Sequence, residues 1–154
     1  MSMVHGASHI HEASLTVDTS AYASGDTLGT LITIDDCLSD TNGTATIMDI
    51  TVVDNAGQDV EIGFYFYNAS VTLASDNAAY TVSDADANKC VGYVSVSDYV
   101  TGGTSKSIGQ KRNVGLQVYS DGTTRNVYCG LIILGAPTYT ASDLTIKFKF
   151  LQDL

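Results

Sequence analysis

The chain has 154 residues, enough for one domain with its own core at roughly 150 residues per domain. Its formal net charge of −10, with only seven Lys and Arg, argues against nucleic acid and anionic membranes, both of which are gripped by clustered cations. Glu occurs only at Glu12 and Glu61, and charged residues make up 16% of a chain otherwise rich in Thr, Val, Ile, Tyr and Asp-Gly turns, which excludes helical bundles and coiled coils.

Residues 1–8 lack apolar periodicity and read as a flexible N-terminal arm, with neither the basic nor the apolar segment of a signal peptide. From His9 to Val17 the residues alternate, with Ala13, Leu15 and Val17 on one face. A turn at Ala23-Ser24-Gly25-Asp26 leads to a short apolar strand over Gly29–Ile34. Thr46–Val53 alternates next, placing Met48, Ile50 and Val52 together. Asp54-Asn55-Ala56-Gly57 is turn chemistry, and Val60–Tyr67 follows with Val60, Ile62, Phe64 and Phe66 on one side. The two runs read as a hairpin.

Ser83-Asp84-Ala85-Asp86 has a cap and acidic first-turn residues, predicting about two helical turns that Gly92 ends. A strand over Gly92–Ser97 precedes a Gly-rich loop, Thr101–Gly109. Asn113–Tyr119 and Arg125–Leu134 flank Ser120-Asp121-Gly122-Thr123 and predict a second hairpin. The arm from Val127 to Leu134 is apolar on both faces, which predicts burial on both sides and a pull toward oligomers. Leu144, Ile146, Phe148 and Phe150 close the chain on one face. About eight strands and one short helix over residues 9–154 predict a single all-β domain, an antiparallel β-sandwich of jelly-roll type.

Chemistry is sparse. His9 and His11 share a strand face, with His5 nearby, but no third strong ligand is placed beside them, and an exposed first strand accounts for them. Asp84-x-Asp86-x-Asn88 imitates half of a Ca²⁺ loop, then puts Lys89 where Gly is needed and Ser95 where Glu is needed. No nucleophile elbow, phosphate loop or opposed carboxylate pair is legible, so no enzyme activity, metal or cofactor is expected. Cys37, Cys90 and Cys129 read as free thiols of a reducing compartment. Tyrosines stand out instead. Tyr65 and Tyr67 share the outer face of a strand, while Tyr22, Tyr99 and Tyr139 fall in or beside loops. Candidate interface residues are therefore Tyr65, Tyr67, Tyr128, Ile132 and Leu134, with His9 and His11 at the base of the arm.

An ordered set of motifs runs through most of the chain. It comprises Tyr22-Ala23-Ser24-Gly25-Asp26-Thr27-Leu28-Gly29, Val52-Val53-Asp54, Ala74-Ser75-Asp76-Asn77-Ala78-Ala79, Ser83-Asp84-Ala85-Asp86, Val91-Gly92, Gly135-Ala136-Pro137-Thr138-Tyr139 and Asp143-Leu144-Thr145-Ile146-Lys147-Phe148. In this order the chain resembles small β-sandwich virion proteins of tailed phages, of the capsid decoration or cement kind. The resemblance implies a homotrimer on the outside of a head, bound to the major capsid protein and assembled in the host bacterial cytoplasm. It also implies a mechanical role, bridging capsid subunits through many weak contacts. The arm carries no part of the resemblance and reads first as a tail with no role; the competing expectation is that it helps attachment, its histidines strengthening binding to an acidic partner as pH falls. A fibre or receptor-binding module gripping a glycan, and a small jelly-roll hydrolase or lyase, are the competing readings. An aromatic groove favours the former and converging carboxylates the latter.

Overall fold

The structure, a computed structural model, describes residues 7–102 and 105–153. Among them are ten strands and one helical turn. In chain order these are β1 Ala7–Ser14, β2 Ile32–Ile34, β3 Thr44–Asp54, β4 Ile62–Tyr67, α1 Asp84–Ala87, β5 Cys90–Val96, β6 Tyr99–Gly102, β7 Lys106–Lys111, β8 Leu116–Tyr119, β9 Val127–Ile133 and β10 Leu144–Gln152. The first sheet runs β1-β10-β3-β7-β6, with β8 also paired to β3, and the second runs β2-β9-β4-β5. Counting β6–β8 as one excursion, the strand order is 1-8-3-6 in one sheet and 2-7-4-5 in the other. Each sheet interleaves the two ends of the chain, as two Greek keys do, so the sandwich is a jelly roll.

The core lies between the sheets. Ile62, Phe64 and Phe66 of β4 meet Ile146, Phe148 and Phe150 of β10, all fully buried, as a period of two requires. Val60 precedes its strand and is only half-buried against this core. In β3 the buried set is Ala45, Ile47, Ile50, Val52 and Asp54. A bulge opposite the Lys149/Phe150 step inserts one residue and turns Met48 off the inner face that strict alternation assigns it.

Neither expected hairpin is one. β3 belongs to the first sheet and β4 to the second, so the turn after Asp54 carries the chain across the core. Likewise β8 pairs with β3, whereas β9 pairs with β2 and β4. Turn residues encode a reversal of direction but not the ladder that receives it. Packed sheets lie about 10 Å apart, a gap that a loop of a few residues spans at roughly 3.3 Å each. The Gly-rich stretch is itself mostly strand, with β6 and β7 pairing Val100 to Ile108. Gly103 and Thr104, in that loop, lie outside the described residues.

Two boundaries also move. The helix is the single turn Asp84–Ala87, capped by Ser83 Oγ accepting from Asp86 N at 3.1 Å, and β5 begins at Cys90 because that segment pairs with β4. β1 begins at Ala7, paired to Gln152, so the last two residues of the expected arm are strand. The rest of that arm, residues 1–6, lies outside the described residues.

Candidate functional site

The outer face of the second sheet carries Gly63 and Tyr65 from β4, Tyr93 from β5, and Tyr128, Gly130 and Ile132 from β9, paired across the ladder. Residues 68–89, linking β4 to β5, fold back over it. Tyr80 stacks on Tyr65 at a ring-centroid distance of 5.0 Å, and Tyr93 tilts against Tyr65 at 4.8 Å. The Tyr80 and Tyr67 hydroxyls are 2.6 Å apart in a hydrogen bond. The approach is close enough that a Cβ on Gly130 would lie 2.5 Å from the Tyr80 hydroxyl and 3.1 Å from Leu73, so glycine is required there.

This cover corrects the reading of two features. Tyr67 is only 1% exposed, so it is an internal residue and not a contact residue. Tyr128, Ile132 and Leu134 are half-buried. The two-sided apolarity of β9 is thus met inside the chain, by the core on one face and by Leu73 and Tyr80 on the other. It requires no second subunit. Tyr65 lines an open groove of about 530 Å³ with Tyr80, Thr81, Val82, Ala87 and the exposed Cys90, and the buried Tyr67 forms part of its wall. Of the loop tyrosines, Tyr22 and Tyr139 are core residues in edge-to-face contact at 6.1 Å, and Tyr99 donates from its hydroxyl to Val60 O at 2.8 Å. Burial pushes the hydroxyls of all three to higher pKa.

Carboxylates fix the covering loop. Asp76 accepts from the Tyr22 hydroxyl, Gly29 N and Asp18 N, each at 2.7 Å. Asp86 accepts from Thr72 N at 3.0 Å and Lys89 Nζ at 2.7 Å, and these bonds, that from Lys89 foremost, hold its carboxyl below the usual range. Asp86, the middle residue of the apparent Ca²⁺ loop, is therefore tied to the covering loop itself. Among the described residues no three His, Cys, Asp or Glu side chains converge as metal ligands do. Cys37, Cys90 and Cys129 are free thiols. Cys37 and Cys129 are buried, and burial pushes Cys37 up to about 12.

His9 and His11 do share a face of β1, but it is the inner one. His9 lies 6.3 Å from the Phe150 ring and His11 6.4 Å from Phe148. His9 Nε2 is buried without a hydrogen-bond partner among the described residues. Burial lowers the His11 pKa, the nearby Asp35 partly offsets this, and His9 adds to the lowering. The strand therefore does not offer the His11 charge to a partner; His5 lies outside the described residues.

The effect falls on stability instead. A folded state that disfavours protonated His11 loses stability as pH drops below the unfolded pKa of about 6.5. The melting temperature is expected to fall between pH 7.5 and 5.5, and His11→Gln is expected to flatten that slope. The carboxylates held low, Asp18, Asp86 and Asp121, lose their contribution only near and below pH 4, outside this window. A native slope unchanged in the variant would refute the assignment.

The outer face of the first sheet is different in kind, because among the described residues no loop covers it in the same way. Six large hydrophobic residues are exposed in the described chain, and Ile10, Val100, Ile108, Tyr119 and Leu151 all belong to this sheet. Val100, Ile108 and Val53 form one row across β6, β7 and β3, with Val100 at 76% and Ile108 at 54% exposure. None of these residues was singled out from the sequence.

No protein-family model matches the chain, and no curated protein matches it. A chain in the solved "Structure of infectious bursal disease virus Gx strain" is similar to it at 14% identity, with a TM-score of 0.38 over 96% of this chain. The present chain spans about a third (34%) of the length of that one. A similarity of this size decides neither fold nor function, and the jelly roll stands on the strand order.

Proposed function

We propose that the chain is a virion structural protein bound to the outside of a capsid, of the decoration kind, bridging major capsid protein subunits without a catalytic step. The observation that carries this reading is the gathering of five of the six exposed large hydrophobics on one broad sheet face. Single exposed apolar residues are ordinary, but a shared face of them is what protein contacts use. The ordered turn motifs supply the virion context by resemblance, together with assembly in a host bacterial cytoplasm. Electron microscopy of the source particles tests the reading. Density for this domain on the head is expected, and density confined to the tail, or absent, would reject it.

The trimer now rests on the resemblance alone, since β9 is covered within the chain. Light scattering on the purified protein is expected to give three times the 16.2 kDa chain mass. A monomer at micromolar concentration would remove the trimer while leaving the attachment face intact.

The tyrosine groove favours a second reading, a fibre or receptor-binding module that holds a glycan. Aromatic faces do bind sugars, but the groove beside Tyr65 is lined by Tyr, Thr, Val, Ala and Cys, with no carboxylate, amide or cation among these side chains to hold sugar hydroxyls. Saturable sugar binding, lost in Tyr65→Ala, would move the assignment to that reading.

A further inference from the structure

Charge is not spread evenly over this molecule. Among the described residues two ion pairs form, Lys89 with Asp86 at 2.7 Å and Arg125 with Asp36 at 2.6 Å. The other five of the seven cations are Lys106, Lys111, Arg112, Lys147 and Lys149. All five are exposed, all lie on β7, directly after it or on β10, and none is in an ion pair among the described residues.

The acids on or bordering this outer face are Glu12 opposite Lys147, Asp49 opposite Lys149, Asp98 before β6, and Asp143 and Asp153 before and after β10. Asp49 also accepts from Asn113 N, and Asp153 from Gln117 Nε2. With Lys111 lying opposite the inward Ile50, this face and its borders set four cations against five acids, while the remainder sets three cations against twelve of the seventeen acids. A protein of net charge −10 keeps one face near neutral, with Lys106, Arg112, Lys147 and Lys149 there, interleaved with its exposed apolar side chains.

We infer that the outer face of the first sheet is the docking surface, and that its occupant is an acidic protein surface. The inference rests on the capsid reading for the identity of that partner. Cations without internal partners are free to pair across an interface, and apolar residues between them supply area that excludes water. Five strands about 4.8 Å apart and about eight residues at roughly 3.3 Å give a face on the order of 600 Å². That approaches the roughly 800 Å² per partner of a standard interface. The rest of the body, strongly acidic, would repel the same partner, so charge also sets the orientation.

The test uses native protein, Lys147→Glu/Lys149→Glu, Ile108→Asp, and Tyr93→Ser as a control on the opposite sheet. All four substituted side chains are exposed, and circular dichroism checks that each variant folds. On particle shells stripped of the protein, the two first-sheet variants are expected to bind about tenfold more weakly or worse, with Tyr93→Ser as native. Native binding is also expected to weaken with salt, and less so in the charge-reversed variant.

A second arm measures retention on immobilised poly-L-glutamate, with duplex DNA and phosphatidylserine vesicles alongside. Retention on polyglutamate that is lost in Lys147→Glu/Lys149→Glu supports the face even if native protein ignores shells, in which case the capsid reading fails alone. Shell binding undiminished in both first-sheet variants overturns the face and leaves the capsid reading standing. Retention on DNA or vesicles in place of polyglutamate, or retention on none of the probes together with no shell binding, overturns the inference.

Discussion

Phe148→Ala is expected to destabilise the protein by about 3–5 kcal/mol, read by urea denaturation with an unchanged slope. Phe148 is fully buried and belongs to β10, the strand between β1 and β3. Its ring meets Phe64 and Phe66 of the opposite sheet edge to face, both at 6.0 Å, and Phe150 of its own strand at 6.2 Å. It is thus the contact through which the two sheets hold each other. Truncation removes the transfer free energy of the ring and leaves a cavity that a β-sandwich closes poorly, since its walls are hydrogen-bonded ladders. Phe148→Leu keeps most of the volume and is expected to lose less than half as much. A loss under about 1 kcal/mol for the alanine variant would mean that the ring does not occupy the inter-sheet space.

The strands of this fold are legible because each is short and obeys a period of two. Ile62, Phe64 and Phe66, and Ile146, Phe148 and Phe150, announce an inner face before any neighbour is known, and they are buried as that pattern requires. Strand partnership is not legible in the same way. Asp54-Asn55-Ala56-Gly57 and Ser120-Asp121-Gly122-Thr123 turn the chain, yet in a Greek key the chain leaves one sheet for the other at such turns. The bulge at Met48 hides for a related reason, since an extra residue breaks alternation only in register with β10.

The candidate surfaces divide along the same line. Tyr65 and Tyr67 do lie on the outer face of β4, but which of them solvent reaches depends on Tyr80, 13 positions beyond Tyr67. His9 and His11 do share a face, but the sign of that face, inward, is set by β10. The apolar row takes Val53, Val100 and Ile108 from three strands, and two of its members sit in or beside a stretch that reads as a glycine loop. Cross-strand proximity is a property of sheet order, so the face with the most exposed apolar residues and most of the unpaired cations had no signal in any single window. Lys147 and Lys149 are the exception: their alternation with Phe148 and Phe150 places both on the outer face.

Asp54→Ala is expected to cost about 3–5 kcal/mol, as much as removing a core aromatic, although Asp54 is a single polar residue at the end of a strand. The reason is geometric. Asp54 is 1% exposed, and its carboxylate accepts four backbone N–H groups in succession: Ala56 at 2.9 Å, Gly57 at 3.0 Å, Gln58 at 2.8 Å and Asp59 at 3.1 Å. These amides belong to the connection that leaves β3 in the first sheet and enters β4 in the second. No ladder satisfies them there, and an amide left unpaired away from water costs about 1–3 kcal/mol. One carboxylate thus replaces the ladder for four successive residues of the crossing. Its negative charge suits four converging donors, each a charge-assisted bond stronger than a neutral one. Asp54→Asn keeps one acceptor oxygen but turns an amide NH₂ toward two of the four donors. Its loss is expected to fall only slightly below that of alanine, whereas an N-terminal cap residue of ordinary exposure would tolerate Asn. The measurement is denaturation of both variants at pH 7, with hydrogen exchange at residues 56–59. Fast exchange confined to those amides and a large global loss would confirm that the crossing is fastened at this point. Native stability in both variants would show that water serves the amides equally well and that the crossing holds by packing alone.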